Sequence, residues 1–146
     1  MVDPSQEADP HDADGESAGT GHDLFEALPY PATLIDARGI ITGINGAFIE
    51  MGRALGREVR REERIGYPVE RFTPDETTRQ TMVEIVCGVL EAGTVQEHLW
   101  EFSSTGGTPG RVRLTASPLR GADGEVTGGL LLWQDRTGEA WQEEQR

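Results

Sequence analysis

The sequence lacks lysine entirely, and each of its 13 basic residues is an arginine. A Walker A phosphate loop, a Schiff-base enzyme and a pyridoxal-phosphate anchor all require a lysine side chain, so these classes of protein are excluded. The 146 residues are enough for one domain with its own hydrophobic core.

Cysteine and long apolar runs are also scarce. The single cysteine, Cys87, cannot form an internal disulfide, so nothing indicates an oxidising compartment. The longest apolar run, Leu130–Trp133, is far shorter than the ~20 residues needed to span a bilayer. The first 21 residues contain six acidic residues and no arginine, unlike a signal or transit peptide. We therefore expect a cytoplasmic protein.

The charge of the chain is strongly acidic. It has 26 acidic residues and a formal net charge of −13. Nucleic acids and anionic membranes are bound by concentrated positive charge, so neither is an expected partner. An acidic, lysine-free composition is also typical of halophilic microbes that accumulate salt, where salt screens the repulsion between like charges. Codons rich in G and C account for arginine-only basicity equally well.

Composition divides the chain into three regions. Residues 1–21 have almost no large apolar side chains and are predicted to form a disordered acidic tail. Because six acidic residues lie in this tail, residues 22–146 have 20 acidic residues against 13 arginines, a net charge of −7. We expect a folded domain over residues 22–137 and a short helical linker over residues 138–146.

Hydrophobic spacing in the folded region predicts helix, two strands, helices and three strands. Asn45 is predicted to cap one helix, and Pro74 to lie in the first turn of the longest one. Tight turns between the last strands favour an α+β fold, with an antiparallel sheet of about five strands and helices packed on one face. The predicted helices are 23–28, 45–55 and 74–92, with helical turns over 57–64, and the predicted strands are 32–36, 40–44, 94–103, 111–119 and 126–135.

Several short signatures, taken in order, resemble a PAS domain. The resemblance extends from about Asp23 to Glu139 and depends on the order and spacing of the pieces. The pieces are Leu24–Pro29, Leu34-Ile35-Asp36 with Gly39 and Ile41, Asn45 with Ala47-Phe48, Ile65-Gly66, Ser117-Pro118-Leu119, Asp123–Val126 and Asp135-Arg136-Thr137.

This resemblance implies a sheet that curls around helices to form a pocket. The PAS family binds flavin, haem, small metabolites or nothing, often dimerises, and commonly sends its signal through a terminal Asp-Ile-Thr-like motif. Asp135 and Thr137 match the outer positions of that motif and are the expected signal-relay residues, while Arg136 replaces its apolar middle residue. The Gly-x-Asn-Cys-Arg-Phe motif of the flavin-binding photosensory subclass is absent, so Cys87 is expected to be a partly buried filler.

Eleven residues are candidates for lining the pocket, although packing together as a simple core is the favoured interpretation for each of them taken singly. His98 alternates in phase with Trp100, and a core or rim histidine is the favoured interpretation over a haem ligand. With His11 and His22 near or in the tail, no metal site is predicted. The pocket candidates are Leu34, Ile41, Phe48, Met51, Met82, Ile85, Val86, Val89, His98, Trp100 and Phe102.

An arginine-rich segment lies between the predicted helices. Three glutamates are interspersed in it, which favours a solvated, self-paired face over a docking patch for a partner. The arginines are Arg53, Arg57, Arg60, Arg61 and Arg64.

Two functions remain open from the sequence. The first is a PAS-type sensory and protein-interaction module that binds a small ligand or partner and relays a conformational change through its C-terminal end. The second is a ligand-free dimerisation or adaptor domain. Expected partners are a second copy of the chain or a signalling protein such as a kinase or transcription regulator. No active-site spacing indicates an enzyme, and the sequence identifies no cofactor.

Overall fold

The structure, a computed structural model, describes residues 23–103 and 109–136. Its strands are β1 (Ala32–Asp36), β2 (Ile41–Ile44), β3 (Gln96–Ser103), β4 (Pro109–Arg120) and β5 (Val126–Asp135). They form one antiparallel sheet in the order β2-β1-β5-β4-β3. The predicted α+β fold with a five-stranded antiparallel sheet is confirmed.

Among the described residues, three helices lie between the second and third strands, and a short helical segment precedes the first strand. The three helices are α1 (Gly46–Ala54), α2 (Arg61–Arg64) and α3 (Glu76–Leu90), with a 3-10 turn at Val69–Phe72, and the short segment is residues 23–27. The 3-10 turn was not predicted because a single turn is too short to show helical periodicity. Among the described helices, none has both the length and the apolar character required for a membrane span.

The boundaries of α3 differ from the prediction because an aspartate caps the helix. The Asp75 carboxylate accepts a hydrogen bond from the Thr78 amide at 2.8 Å, so Pro74 lies before the cap and not in the first turn. This bond lowers the pKa of Asp75 below its ordinary value. The helix ends at Leu90, and Gly93 follows with a φ of 67°, in the left-handed region that favours glycine.

The core lies between α3 and one face of the sheet. Val112, Leu114 and Ala116 on β4 are 7%, 0% and 0% exposed, as expected for alternate residues directed inward. Cys87 is exposed, which corrects the expectation of partial burial, because the apolar stripe of α3 faces elsewhere. The stripe itself is buried and consists of Met82, Ile85, Val86 and Val89.

Asn45, which is 0% exposed, joins three segments of the chain. Its side-chain oxygen accepts hydrogen bonds from the Phe48 amide, capping α1, and from the Ala32 amide at the start of β1, both at 3.0 Å. Its amide nitrogen donates to the carbonyls of Tyr30 at 2.9 Å and Phe25 at 3.3 Å. One side chain therefore satisfies the polar groups of the helix, the first strand and the segment before it.

We expect Asn45→Ala to lower the free energy of unfolding by about 3 kcal/mol, since it removes a cap and leaves buried polar groups unpaired. Asp75→Ala is the matched control, because Asp75 is also an N-cap but is exposed and does not join separate segments. Urea denaturation followed by circular dichroism measures both variants. Equal losses would show that Asn45 acts only as a helix cap.

Candidate functional site

A cavity of about 420 Å³ lies between the sheet and the helical region that runs from α1 to the first half of α3. Its sheet side is formed by inward-directed residues of all five strands, and a register shift between β1 and β2 lets both Ile41 and Ile44 reach it. These residues are Thr33, Ile41, Ile44, Trp100, Val112 and Trp133, with Glu101 at the margin.

The opposite wall comes from the helical region. α1 and α3 contribute apolar side chains, and the connecting segment adds two arginines and a phenylalanine. The residues are Phe48, Met51, Gly52, Leu55, Arg57, Val59, Arg64, Val69, Phe72, Thr73, Pro74, Asp75, Thr78 and Met82. A mostly apolar wall with several polar groups placed on it is typical of small-molecule sites.

Aromatic rings form a continuous row along this cavity. The ring centroids of Trp133 and Trp100 are 6.1 Å apart in a stacked arrangement, and Phe48 meets Trp133 edge-on at 5.8 Å. Trp133 Nε1 donates a hydrogen bond to Thr33 Oγ1 at 3.3 Å, which fixes the orientation of the indole. Rigid aromatic faces of this kind suit a flat, apolar ligand.

Arg64 brings a positive charge to the apolar wall. Its guanidinium carbon lies 4.5 Å from the Phe72 ring centroid and 5.9 Å from that of Phe48. Burial lowers the pKa of Arg64, and the nearby charge of Arg57 lowers it further. Since arginine remains charged at physiological pH, the site keeps a partly desolvated cation.

Acidic groups at the cavity are engaged elsewhere. Glu101 forms an ion pair with Arg111, and Asp75 caps α3. Within residues 23–103 and 109–136, no group of three or more His, Cys, Asp or Glu side chains is placed to hold a metal ion.

Five of the predicted pocket residues lie on the cavity wall, namely Ile41, Phe48, Met51, Met82 and Trp100. His98 stands beside the wall with its ring 4.6 Å from that of Trp100. Ile85, Val86 and Val89 are core residues between α3 and the sheet, away from the cavity.

Leu34 was predicted to line the pocket, but it does not line the cavity. Thr33 lines the cavity, and because neighbouring residues of a strand point to opposite faces, Leu34 lies on the other side, near Gly43. The side chain of Phe102 and all of Thr137 lie outside the described residues. Asp135 is exposed at the end of β5 and pairs in register with Val112.

Among the wall residues that the sequence did not predict, three contribute an aromatic ring or a charge next to those rings. Trp133 could have been found, because it alternates in phase with buried Leu131 on β5. Phe72 belongs to the 3-10 turn that periodicity does not reveal. Arg64 was assigned to a solvated, self-paired face, but burial and ring contacts place it on the cavity wall.

The sequence and the fold match a known family. The sequence profile of the PAS fold matches residues 25–140, most of the chain. The chain belongs to the PAS family. This PAS domain is therefore a member of a family of sensory and signal-transduction modules. No curated protein matches its sequence significantly.

Solved structures share the PAS fold at low identity. The PAS domain of a protein from Colwellia psychrerythraea is 19% identical with a TM-score of 0.60, and the match covers 84% of this chain and 99% of that one. VqmA of Vibrio cholerae, solved as a complex with ligand and DNA, is 23% identical with a TM-score of 0.60, over 80% of this chain and 50% of that one. An RNA-binding light-oxygen-voltage receptor is 17% identical with a TM-score of 0.65, over 99% of this chain and 39% of that one.

At these low sequence identities, the similarity shows only that the fold is shared. This PAS domain spans about half of the VqmA chain and a smaller share of the receptor. DNA binding and RNA binding are properties of those longer proteins.

The helical wall of the cavity depends on a close approach at Gly52. A Cβ atom at this position would lie 2.6 Å from Cγ2 of Val59, whereas a Cβ at Gly46 in the same helix would meet nothing within 4 Å. We expect Gly52→Ala to lower the free energy of unfolding by about 2 kcal/mol through overpacking, and Gly46→Ala to leave it unchanged or raise it by up to about 1 kcal/mol.

Urea denaturation of both alanine variants tests this close approach. Adding Val59→Ala to Gly52→Ala should recover part of the loss, since it removes the clashing methyl group. If Gly52→Ala is tolerated as well as Gly46→Ala, the wall is not fixed by this contact.

Proposed function

We propose that this PAS domain is a sensory and protein-interaction module that binds a small molecule in the cavity and passes the resulting conformational change to its C-terminal end. The observation that carries this proposal is the cavity of about 420 Å³ beside the stacked indoles of Trp100 and Trp133. That volume lies within the usual range of small-molecule sites. A core without a ligand function gains nothing from such a cavity, because unfilled space costs stability.

The module acts by binding and without catalysis, in the cytoplasm. Its partner is a second copy of the chain or a signalling protein such as a kinase or transcription regulator. The net charge of −13 disfavours nucleic acid as a partner of this chain. Large apolar side chains exposed at Tyr30, Leu99 and Leu119 offer contact area for a protein. The domain boundaries at residues 22 and 137 are part of this proposal.

The binding proposal is tested with 1-naphthylacetamide, a neutral aromatic probe, by isothermal titration calorimetry. Val112→Phe adds volume to the cavity wall, and we expect it to weaken probe binding at least about tenfold. Leu99→Phe is the control, because Leu99 is exposed and does not line the cavity. Native mass spectrometry of the purified chain shows whether a ligand is already bound.

An apo dimer that binds no probe would favour the ligand-free adaptor instead. Retention of full affinity by Val112→Phe would mean that the probe binds outside the cavity.

The relay is proposed to run along β5 to Asp135 and Thr137. Trp133 lines the cavity two residues before Asp135, and Asp135 is in register with cavity-lining Val112. Immediately beyond, the Arg136 amide donates to the Arg111 carbonyl at 2.8 Å. Motion of the Trp133 indole therefore has a short covalent and hydrogen-bonded path to the strand end.

We expect 1-naphthylacetamide to slow hydrogen exchange of the Arg136 amide, because a filled cavity holds the ends of β4 and β5 together. The Gly124 amide in the distant β4–β5 turn is the internal control. Protection confined to the cavity wall, with none at Arg136, would contradict the relay.

A further inference from the structure

Arg64 differs from neighbouring arginines in its partners. Three arginines of the same region each pair with a glutamate at 2.8–3.0 Å. Among the residues that the structure describes, no hydrogen bond or ion pair reaches the Arg64 guanidinium, and Glu63 acts on it only from beyond ion-pair distance. The three pairs are Arg53–Glu50, Arg60–Glu58 and Arg61–Glu26.

The surroundings of Arg64 make an unpaired guanidinium unfavourable in free energy when no ligand is bound. The guanidinium is partly buried against two aromatic rings, where water solvates it poorly. Arg57, also on the cavity wall, adds a charge of the same sign. A partly desolvated cation beside a second cation gains free energy when an anion enters the cavity.

We propose that the cavity selects a small aromatic carboxylate, whose carboxylate binds Arg64 and whose ring packs in the row formed by Phe48, Trp133 and Trp100. Phe48 connects the two halves of this site, since its ring contacts both the Arg64 guanidinium and the Trp133 indole. The inference rests on the function proposed above and adds the chemical class of the ligand.

A single negative charge suits the site better than two. Asp75 and Glu101 also border the cavity and repel an anion, although Arg111 pairs with Glu101. Asp75 is charged near neutral pH, as an ordinary aspartate is, and the bond from the Thr78 amide lowers its pKa further. These carboxylates would repel a dianionic phosphate ester more strongly than a monoanion. The planar Arg64 guanidinium also matches a carboxylate in shape and charge.

The test compares 1-naphthylacetate with 1-naphthylacetamide, which has the same skeleton without the charge, by calorimetry at neutral pH. We expect the carboxylate to bind at least about tenfold more tightly than the amide. Arg64→Met should bring the two affinities together by weakening only the carboxylate. Arg60→Met, which removes an exposed arginine paired with Glu58, should keep the wild-type ratio.

Each outcome has a distinct meaning. Amide binding by Arg64→Met shows that its cavity is folded, so a collapsed ratio reports the lost charge. Equal binding of both probes to the wild type, or a ratio that survives Arg64→Met, overturns this inference and leaves the proposed function standing. Tighter binding of 1-naphthyl phosphate than of the carboxylate also overturns it. Binding of none of the three probes overturns the proposed function itself.

Discussion

The hydrogen bonds of Asn45 are the constraint on which the other parts of this domain depend. They hold the start of α1 against the start of β1, and so set the position from which α1 passes over the sheet. That position brings Phe48 to Trp133 and the Gly52 backbone close to Val59, the contacts that enclose one side of the cavity. An apolar residue of similar size at position 45 would pack, but it could not satisfy backbone groups from three segments.

Much of the fold was predictable because its signals are local. Alternation in β4 and the apolar stripe of α3 report directly which side of each element is buried. Asn45 before an apolar helix is an equally local cap signal, but its bonds to Tyr30 and Phe25 connect residues far apart in sequence, which no local pattern contains.

The cavity was less predictable than the core around it. Met82 and Ile85 belong to the same stripe, yet only Met82 reaches the cavity, because the boundary between filled and unfilled space depends on how distant segments pack. Arg64 is the clearest case. The two glutamates directly before it in the sequence are charged and exposed, and only the three-dimensional arrangement of Phe48 and Phe72 gives it an apolar environment.

The order of the strands has a consequence for how the chain folds. β1 lies between β2 and β5, and the β1–β5 pairing joins residues about 100 positions apart, such as Thr33 and Leu131. The first hairpin therefore has an open edge until the last strand has been made, and loop closure over most of the domain must precede the central contact of the sheet. On the ribosome, this domain cannot complete its sheet until β5 has left the exit tunnel. The β1–β2 hairpin therefore stays without its neighbouring strand β5 until nearly the whole domain has been synthesised.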